Sequence, residues 1–316
     1  FVDGAVGIAE SLKVPKMLVG IVLVGFCTTA PEFAVSVQSA WLGHPEIALG
    51  NAIGSVICDD ALAMALAATL APVIIDPKIF KTAAPFLITI DLIAYAMAFN
   101  GTISRWEGLV LVVILAGYLY YIVREQSRIR KNGIAPDIVN NQNDSHTSAP
   151  VHGKKAAIQF IVGLIGVIIS SRLVIISAVT GAENPIKITS IAKFLGVPEI
   201  VIGLTMIAIG TSLPEIMTCV VAAKKKHSEI AAGDIIGADI LNILWIIGVS
   251  AAANPIVTDI RTIHFSFISM IIVVITMLVS MRTGWKMSRK EGIILIFMYA
   301  VYIGLMIKLF GLQVHG

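Results

Sequence analysis

One stretch of this chain occurs twice. The first copy, GFCTTAPEFAVSVQSAWLGHPEIALGNAIGSVICDDALAMAL, covers 25–66; the second, AIGTSLPEIMTCVVAAKKKHSEIAAGDIIGADILNILWIIG, covers 208–248. They superpose without a gap at an offset of 183 residues, which relates Pro31 to Pro214, Glu32 to Glu215, His44 to His227, Gly50 to Gly233 and Gly54 to Gly237. The match begins earlier still, with LKVPKMLVG (12–20) against LGVPEIVIG (195–203). Each copy sets a carboxylate beside a proline inside an otherwise apolar segment. The fold must therefore hold two related halves and give each of these acids a reason to be buried.

Composition identifies the medium. Of 316 residues 57% are hydrophobic and 14% charged, with a mean hydropathy of +0.90. Soluble domains carry about 25% charged residues. The apolar runs approach the roughly 20 residues needed to cross hydrocarbon, where a backbone without water must be helical. The fold class is therefore all-α, a polytopic membrane protein whose main partner is the lipid bilayer. Cys27, Cys58 and Cys219 lie within apolar segments and read as small packing residues, not a disulfide framework. The net charge of +3 gives no sign of a nucleic-acid partner.

The chain opens in what reads as the tail of a first helix, ending near Leu12, so a preceding stretch is expected. Helices are then predicted at about 17–42 (interrupted at Pro31), 47–71, 82–99 and 106–123. A polar segment rich in Asn, Ser and charge follows, then helices at about 157–179, 197–223 (through Pro214), 230–253, 265–281 and 292–310. This predicts ten transmembrane helices, the first incomplete, as two five-helix repeats at 1–125 and 156–316 joined by a linker at 126–155. An odd number of spans per half inverts the second half, and inverted repeats with a site at their interface are a transporter architecture. Lysine and arginine collect in alternate loops: Lys13 and Lys16, Lys78 and Lys81, the linker, Lys224 to Lys226, and Arg282 to Lys290. The opposite loops hold only Arg105, Lys187, Lys193 and Arg261. The positive-inside rule makes the linker and the 224–227 loop cytoplasmic and sets His44 outside, in a protein expected in the plasma membrane.

Acids at predicted membrane depth are Glu32, Asp59, Asp60, Asp91, Glu215 and Asp239, against Arg172 as the main base. Each ionised side chain at the bilayer centre costs at least ~2.5–3.5 kcal/mol. Several acids with few bases call for protons or a bound cation. A lone buried acid is readily explained as a protonated, hydrogen-bonded carboxyl, which suffices for Asp60 and Asp91. It does not explain Glu32 and Glu215, which recur at one place in both copies. Pro31 and Pro214 leave the carbonyls of Cys27 and Gly210 without an N–H partner, and broken helices at membrane depth line cavities. Thr28, Thr29, Thr211 and Ser212 stand one turn back, with Thr28 and Thr211 four residues before the glutamates and so on the same helix face. Oxygen ligands of this kind suit hard cations, Ca²⁺ above all. On the next helix Ser55 and Asp59 are again four apart, and their counterparts are Ala238 and Asn242. Gly50, Gly54, Gly233 and Gly237 form small faces for close helix packing.

At these residues the chain resembles the sodium/calcium exchanger family, cation/calcium antiporters with two inverted α-repeats. GTSLPE (210–215) matches the family signature, CTTAPE (27–32) is a variant of it, and GNAIGS (50–55) matches the motif of the following helix. GDIIGA (233–238) departs from that motif. The resemblance covers the whole chain. It implies Glu32 and Glu215 as shared Ca²⁺ and Na⁺ ligands, flanked by Thr28, Thr29, Thr211 and Ser212. Carbonyls near Gly25 and Ala208 would line Na⁺ sites, and Ser55, Asp59 and Asn242 would complete the centre. It also implies that the first helix of each half slides across a static core. The family commonly has asparagine on the third helix and aspartate on the eighth, and Asp59 and Asn242 read as an exchange of the two. Ala238 stands where a serine is usual.

The function expected is secondary antiport of Ca²⁺ against Na⁺ by alternating access, with no cofactor and no enzymatic activity. The alternative is a proton-coupled or other divalent-cation exchanger of the same fold. An intramembrane aspartyl protease, suggested by Asp59–Asp60, would need two acids from separate helices in its own motif, which is absent from the sequence. A passive channel would not need acids matched between repeats.

Overall fold

A computed structural model describes residues 1–12, 14–131, 154–175 and 199–310. Its first half comprises α1 (Val2–Leu12), α2 (Lys16–Thr28), α3 (Ala30–Trp41), α4 (Pro45–Leu70), α5 (Pro77–Ala98) and α6 (Arg105–Lys131). The second comprises α7 (Lys154–Ile175), α8 (Gly203–Thr211), α9 (Leu213–Lys224), α10 (Ser228–Ala253), α11 (Ile260–Arg282) and α12 (Arg289–Phe310). Among the described residues six helices are long and apolar enough to cross a membrane, or eight spans if α2–α3 and α8–α9 each count as one. Helices α1 and α7 are not among those eight, and the expectation of ten rests on them. Helix α6 continues to Lys131, inside the predicted linker. The remainder of that linker, the 176–198 segment with Lys187 and Lys193, Lys13 and the Arg172 side chain lie outside what is described.

Four two-residue strands show how the halves are related: β1 (Val73–Ile74), β2 (Thr102–Ile103), β3 (Ile256–Val257) and β4 (Lys286–Met287). Strand β1 pairs with β4 and β2 with β3, both antiparallel. By repeat position β3 is the copy of β1 and β4 the copy of β2, so each sheet takes one strand from each half. Strand β1 precedes α5 and β2 follows it. The 22 residues of α5 span about 33 Å at 1.5 Å per residue. The copies β1 and β3 thus sit at opposite ends of α5, and the halves are inverted.

Packing repeats the same exchange. A Cβ on Gly20 would lie 2.7 Å from the Ile230 carbonyl and 2.8 Å from the Asp234 nitrogen; on Gly203 it would lie 2.6 Å from the Ile47 carbonyl and 2.9 Å from the Asn51 nitrogen. Those partners are again 183 residues apart. Backbone therefore touches backbone where α2 crosses α10 and where α8 crosses α4. Helices α4 and α10 are almost wholly buried and form the centre of the molecule.

Two local features depart from the sequence reading. The bends of 46° and 48° fall not at the prolines but at Thr29 (ψ 3°) and Ser212 (ψ 4°). Pro31 and Pro214 occupy the first turn of α3 and α9, where a missing N–H costs nothing. Wide π turns occur at Gly20–Val24 and Gly203–Ile207, and at Asp59–Met64 and Asn242–Ile247, matched between the halves. Neither pair was foreseen, because no glycine or proline pattern marks an inserted residue in a helix that otherwise continues.

Candidate cation site

Because each bend starts a new helix, α3 and α9 present their first turns at membrane depth. Glu32 and Glu215 lie in those turns and are fully buried. Thr28, Thr29, Thr211 and Ser212, at the ends of α2 and α8, are buried with them, as are Gly25 and Ala208. The expected alignment of each threonine with the glutamate four residues on does not hold, because the bend separates them. Instead Thr28 lies against Glu215 and Thr211 against Glu32, so the contacts cross between the halves. Ser212 lies against Asp59, which faces Glu215. None of the carboxylate oxygens of Glu32, Glu215 or Asp59 accepts a hydrogen bond of ordinary geometry.

Two residues that sequence reasoning passed over anchor the threonines. The Thr28 hydroxyl is 2.9 Å from Asp234 Oδ1 on α10, and the Thr211 hydroxyl is 3.1 Å from Asn51 Oδ1 on α4. Asn51 also donates through Nδ2 to the Ser36 hydroxyl at 2.9 Å. Asn51 and Asp234 are themselves 183 residues apart, the N and D of GNAIGS and GDIIGA. The asparagine on the third helix and the aspartate on the eighth are thus present, and Asp59 and Asn242 are not an exchange of them. Asp59 is an additional acid. Asn242 is buried at the start of its π turn with neither amide atom bonded, and the Ser55 hydroxyl is likewise buried without a partner. The Gly25 and Ala208 carbonyls are not bare: Gly25 O accepts from the Thr29 nitrogen (3.0 Å) and hydroxyl (2.8 Å), and Ala208 O from the Ser212 nitrogen (2.9 Å).

Glu32, Asp59, Glu215 and Asp234 therefore lie within electrostatic range of one another. Asp60 and Asp239 form a second group, with Asp91 in range of Asp60. All seven acids are buried, and among the described residues no lysine or arginine is buried with them. Bringing one carboxylate into such a medium costs several kcal/mol (roughly; more without a partner). Among the described residues no three acidic, histidine or cysteine side chains converge tightly enough to hold a metal ion by themselves. A cation here would draw on hydroxyl, amide and carbonyl oxygens beside the acids, as the six to eight oxygens around Ca²⁺ allow (roughly 2.3–2.6 Å each).

These features define an integral multi-pass membrane protein with inverted halves and an acidic site at their crossing. The chain matches the sodium/calcium exchanger protein family over residues 1–124 and 155–308 and belongs to that family. Members of this family are transporters and not enzymes. The CaxA protein of Alkalimonas amylolytica is 32% identical over 96% of this chain and 91% of its own length. The sodium/calcium exchanger MaX1 of Methanosarcina acetivorans is 27% identical over 96% of this chain and 92% of its own. Among solved structures, the sodium-calcium exchanger NCX_Mj superposes with a TM-score of 0.74 at 26% identity, covering 96% of this chain and 91% of that one.

Proposed function

We propose that this chain is a secondary antiporter that exchanges Ca²⁺ for Na⁺ across the plasma membrane by alternating access. The observation that carries the proposal is the crossed pairing of the two bends, with Glu32 and Glu215 buried among hydroxyls supplied by both halves. Four acids, Glu32, Asp59, Glu215 and Asp234, favour either one divalent ion or several monovalent ones. Occupancy by one set excludes the other through charge alone, and that exclusion makes exchange obligatory. Glu32 and Glu215 act as shared ligands, with Thr28, Thr29, Thr211 and Ser212 beside them; Asp59, Ser55, Asn51 and Asp234 complete the centre, while Asn242 sits at its edge. Gly25 and Ala208 contribute carbonyls once Thr29 and Ser212 turn away from them. The close crossings of α2 on α10 and of α8 on α4 provide surfaces along which the bent spans move. The linker and the 224–227 loop are cytoplasmic in this reading.

The test is flux in vesicles loaded with Na⁺ and diluted into Na⁺-free medium containing Ca²⁺. Ca²⁺ uptake driven by the outward Na⁺ gradient is expected. Uptake driven by an imposed pH gradient, and indifferent to Na⁺, would replace the Na⁺-coupled reading with a proton-coupled one.

A further inference from the structure

The two sheets are equivalent by repeat, yet their surroundings differ at one end of the molecule. At the β1–β4 end the Arg282 guanidinium stacks on the Trp285 indole, 4.3 Å from its centroid, and the Lys81 ammonium lies 5.9 Å from the same ring. Lys286 and Lys290 are exposed alongside. Among the described residues none of these four cations is in an ion pair.

The fold itself does not require this cluster. At the β2–β3 end, an offset of 184 relates Lys286 to Thr102, Trp285 to Gly101 and Arg282 to Ala98, and Lys81 corresponds to His264 at 183. That sheet forms with the same register and the same flanking bond: Thr258 N donates to Gly101 O at 3.0 Å, as Ile75 N donates to Trp285 O at 3.0 Å. Position 101 has φ +88° and is glycine, which adopts it freely. Trp285 holds a left-handed conformation too, at φ 56°, where a bulky residue is disfavoured. The tryptophan is thus kept at a turn that glycine serves better, and it is flanked by cations that repel one another.

We propose that Lys81, Arg282, Trp285, Lys286 and Lys290 form a binding site for the anionic headgroup of a phospholipid in the adjoining leaflet. A tryptophan at the end of a span sits at headgroup level. The stacked guanidinium keeps its in-plane N–H groups for phosphate oxygens, and the lysines add charge at the membrane surface. The Trp285 ring holds the Arg282 plane in place. This site lies at the membrane surface, apart from the buried acids, and does not depend on which ions are carried.

The experiment is lipid retention by delipidated protein in detergent, titrated with phosphatidylglycerol in competition with phosphatidylcholine. Wild-type protein is expected to prefer phosphatidylglycerol. Each cation at such a surface is worth roughly a fivefold change in affinity, so Lys81→Gln/Arg282→Gln/Lys286→Gln should weaken phosphatidylglycerol retention by about a hundredfold. Arg105→Gln/Arg261→Gln, at the β2–β3 end, should leave it unchanged. Trp285→Phe should keep most of the preference and Trp285→Leu lose it, with elution volume on a sizing column reporting that each variant is folded. Equal retention by the triple variant would overturn the site. So would release of the lipid by millimolar inorganic phosphate, which would make it a free-phosphate site.

Discussion

Thr28 and Thr211 carry more than their hydroxyl count suggests. Each reaches across to the other half, bonding Asp234 or Asn51 while lying against the opposite glutamate. A buried polar group that loses such a partner costs about 1–3 kcal/mol. Thr28→Val should therefore lower apparent Ca²⁺ affinity in vesicle uptake by roughly five- to a hundredfold with the protein still folded; an unchanged affinity would remove Thr28 from the site. Loss of a charged partner from a buried cluster costs about 2–5 kcal/mol, so Glu215→Gln should reduce Ca²⁺ exchange at least ~30-fold. Normal exchange by that variant would end the assignment of Glu215. Asp234→Asn makes the two threonine partners identical and lowers the local acid count by one. It should weaken Ca²⁺ more than Na⁺, read as a shift in the Na⁺ concentration that half-inhibits Ca²⁺ uptake.

At the scale of elements, the sequence disclosed the bent spans but not the cause of the bend. The proline–glutamate pairs at one offset identified where α2–α3 and α8–α9 break and which carboxylates they bury. Placing the break at the proline followed from its missing N–H, whereas the chain turns at Thr29 and Ser212 and uses each proline to begin the next helix. Pro31→Ala should accordingly change stability by less than about 1 kcal/mol, as for a first-turn position, and leave Ca²⁺ uptake near normal. Abolished uptake would return the proline to the role first expected of it. Asn51 and Asp234 were legible in the same offset. A comparison that seeks identical residues discards a pair differing by one atom type, while Asp59 draws notice as an acid. Gly20 and Gly203 state the packing most sharply: an added methyl would press on backbone that cannot yield. Gly20→Ala should destabilise by about 1–3 kcal/mol, measured as a lower thermal midpoint in detergent.

For the whole molecule, the number of spans per half and the offset between copies sufficed to infer inversion. The strand pairs that demonstrate it are two residues long and too short to read from sequence. Orientation in the membrane is a matter of charge. Leu42→Cys and Lys225→Cys, both at exposed positions, should react with a membrane-impermeant maleimide from opposite sides of intact cells, position 42 from outside and 225 only after permeabilisation. Labelling of both from one side would refute the inverted arrangement relative to the membrane.

The crossed pairing also says something about assembly. Each sheet needs a strand from either half, and each glutamate meets the other half's threonine, so neither half contains a complete binding centre. Split between α6 and α7, the chain should function only when both pieces are made together. An ancestor of single-half length would have been complete only as a dual-topology dimer, one copy inserted each way up. The asparagine and aspartate that now face those threonines are then a division of labour opened by fusion, since two identical copies could never have carried one of each.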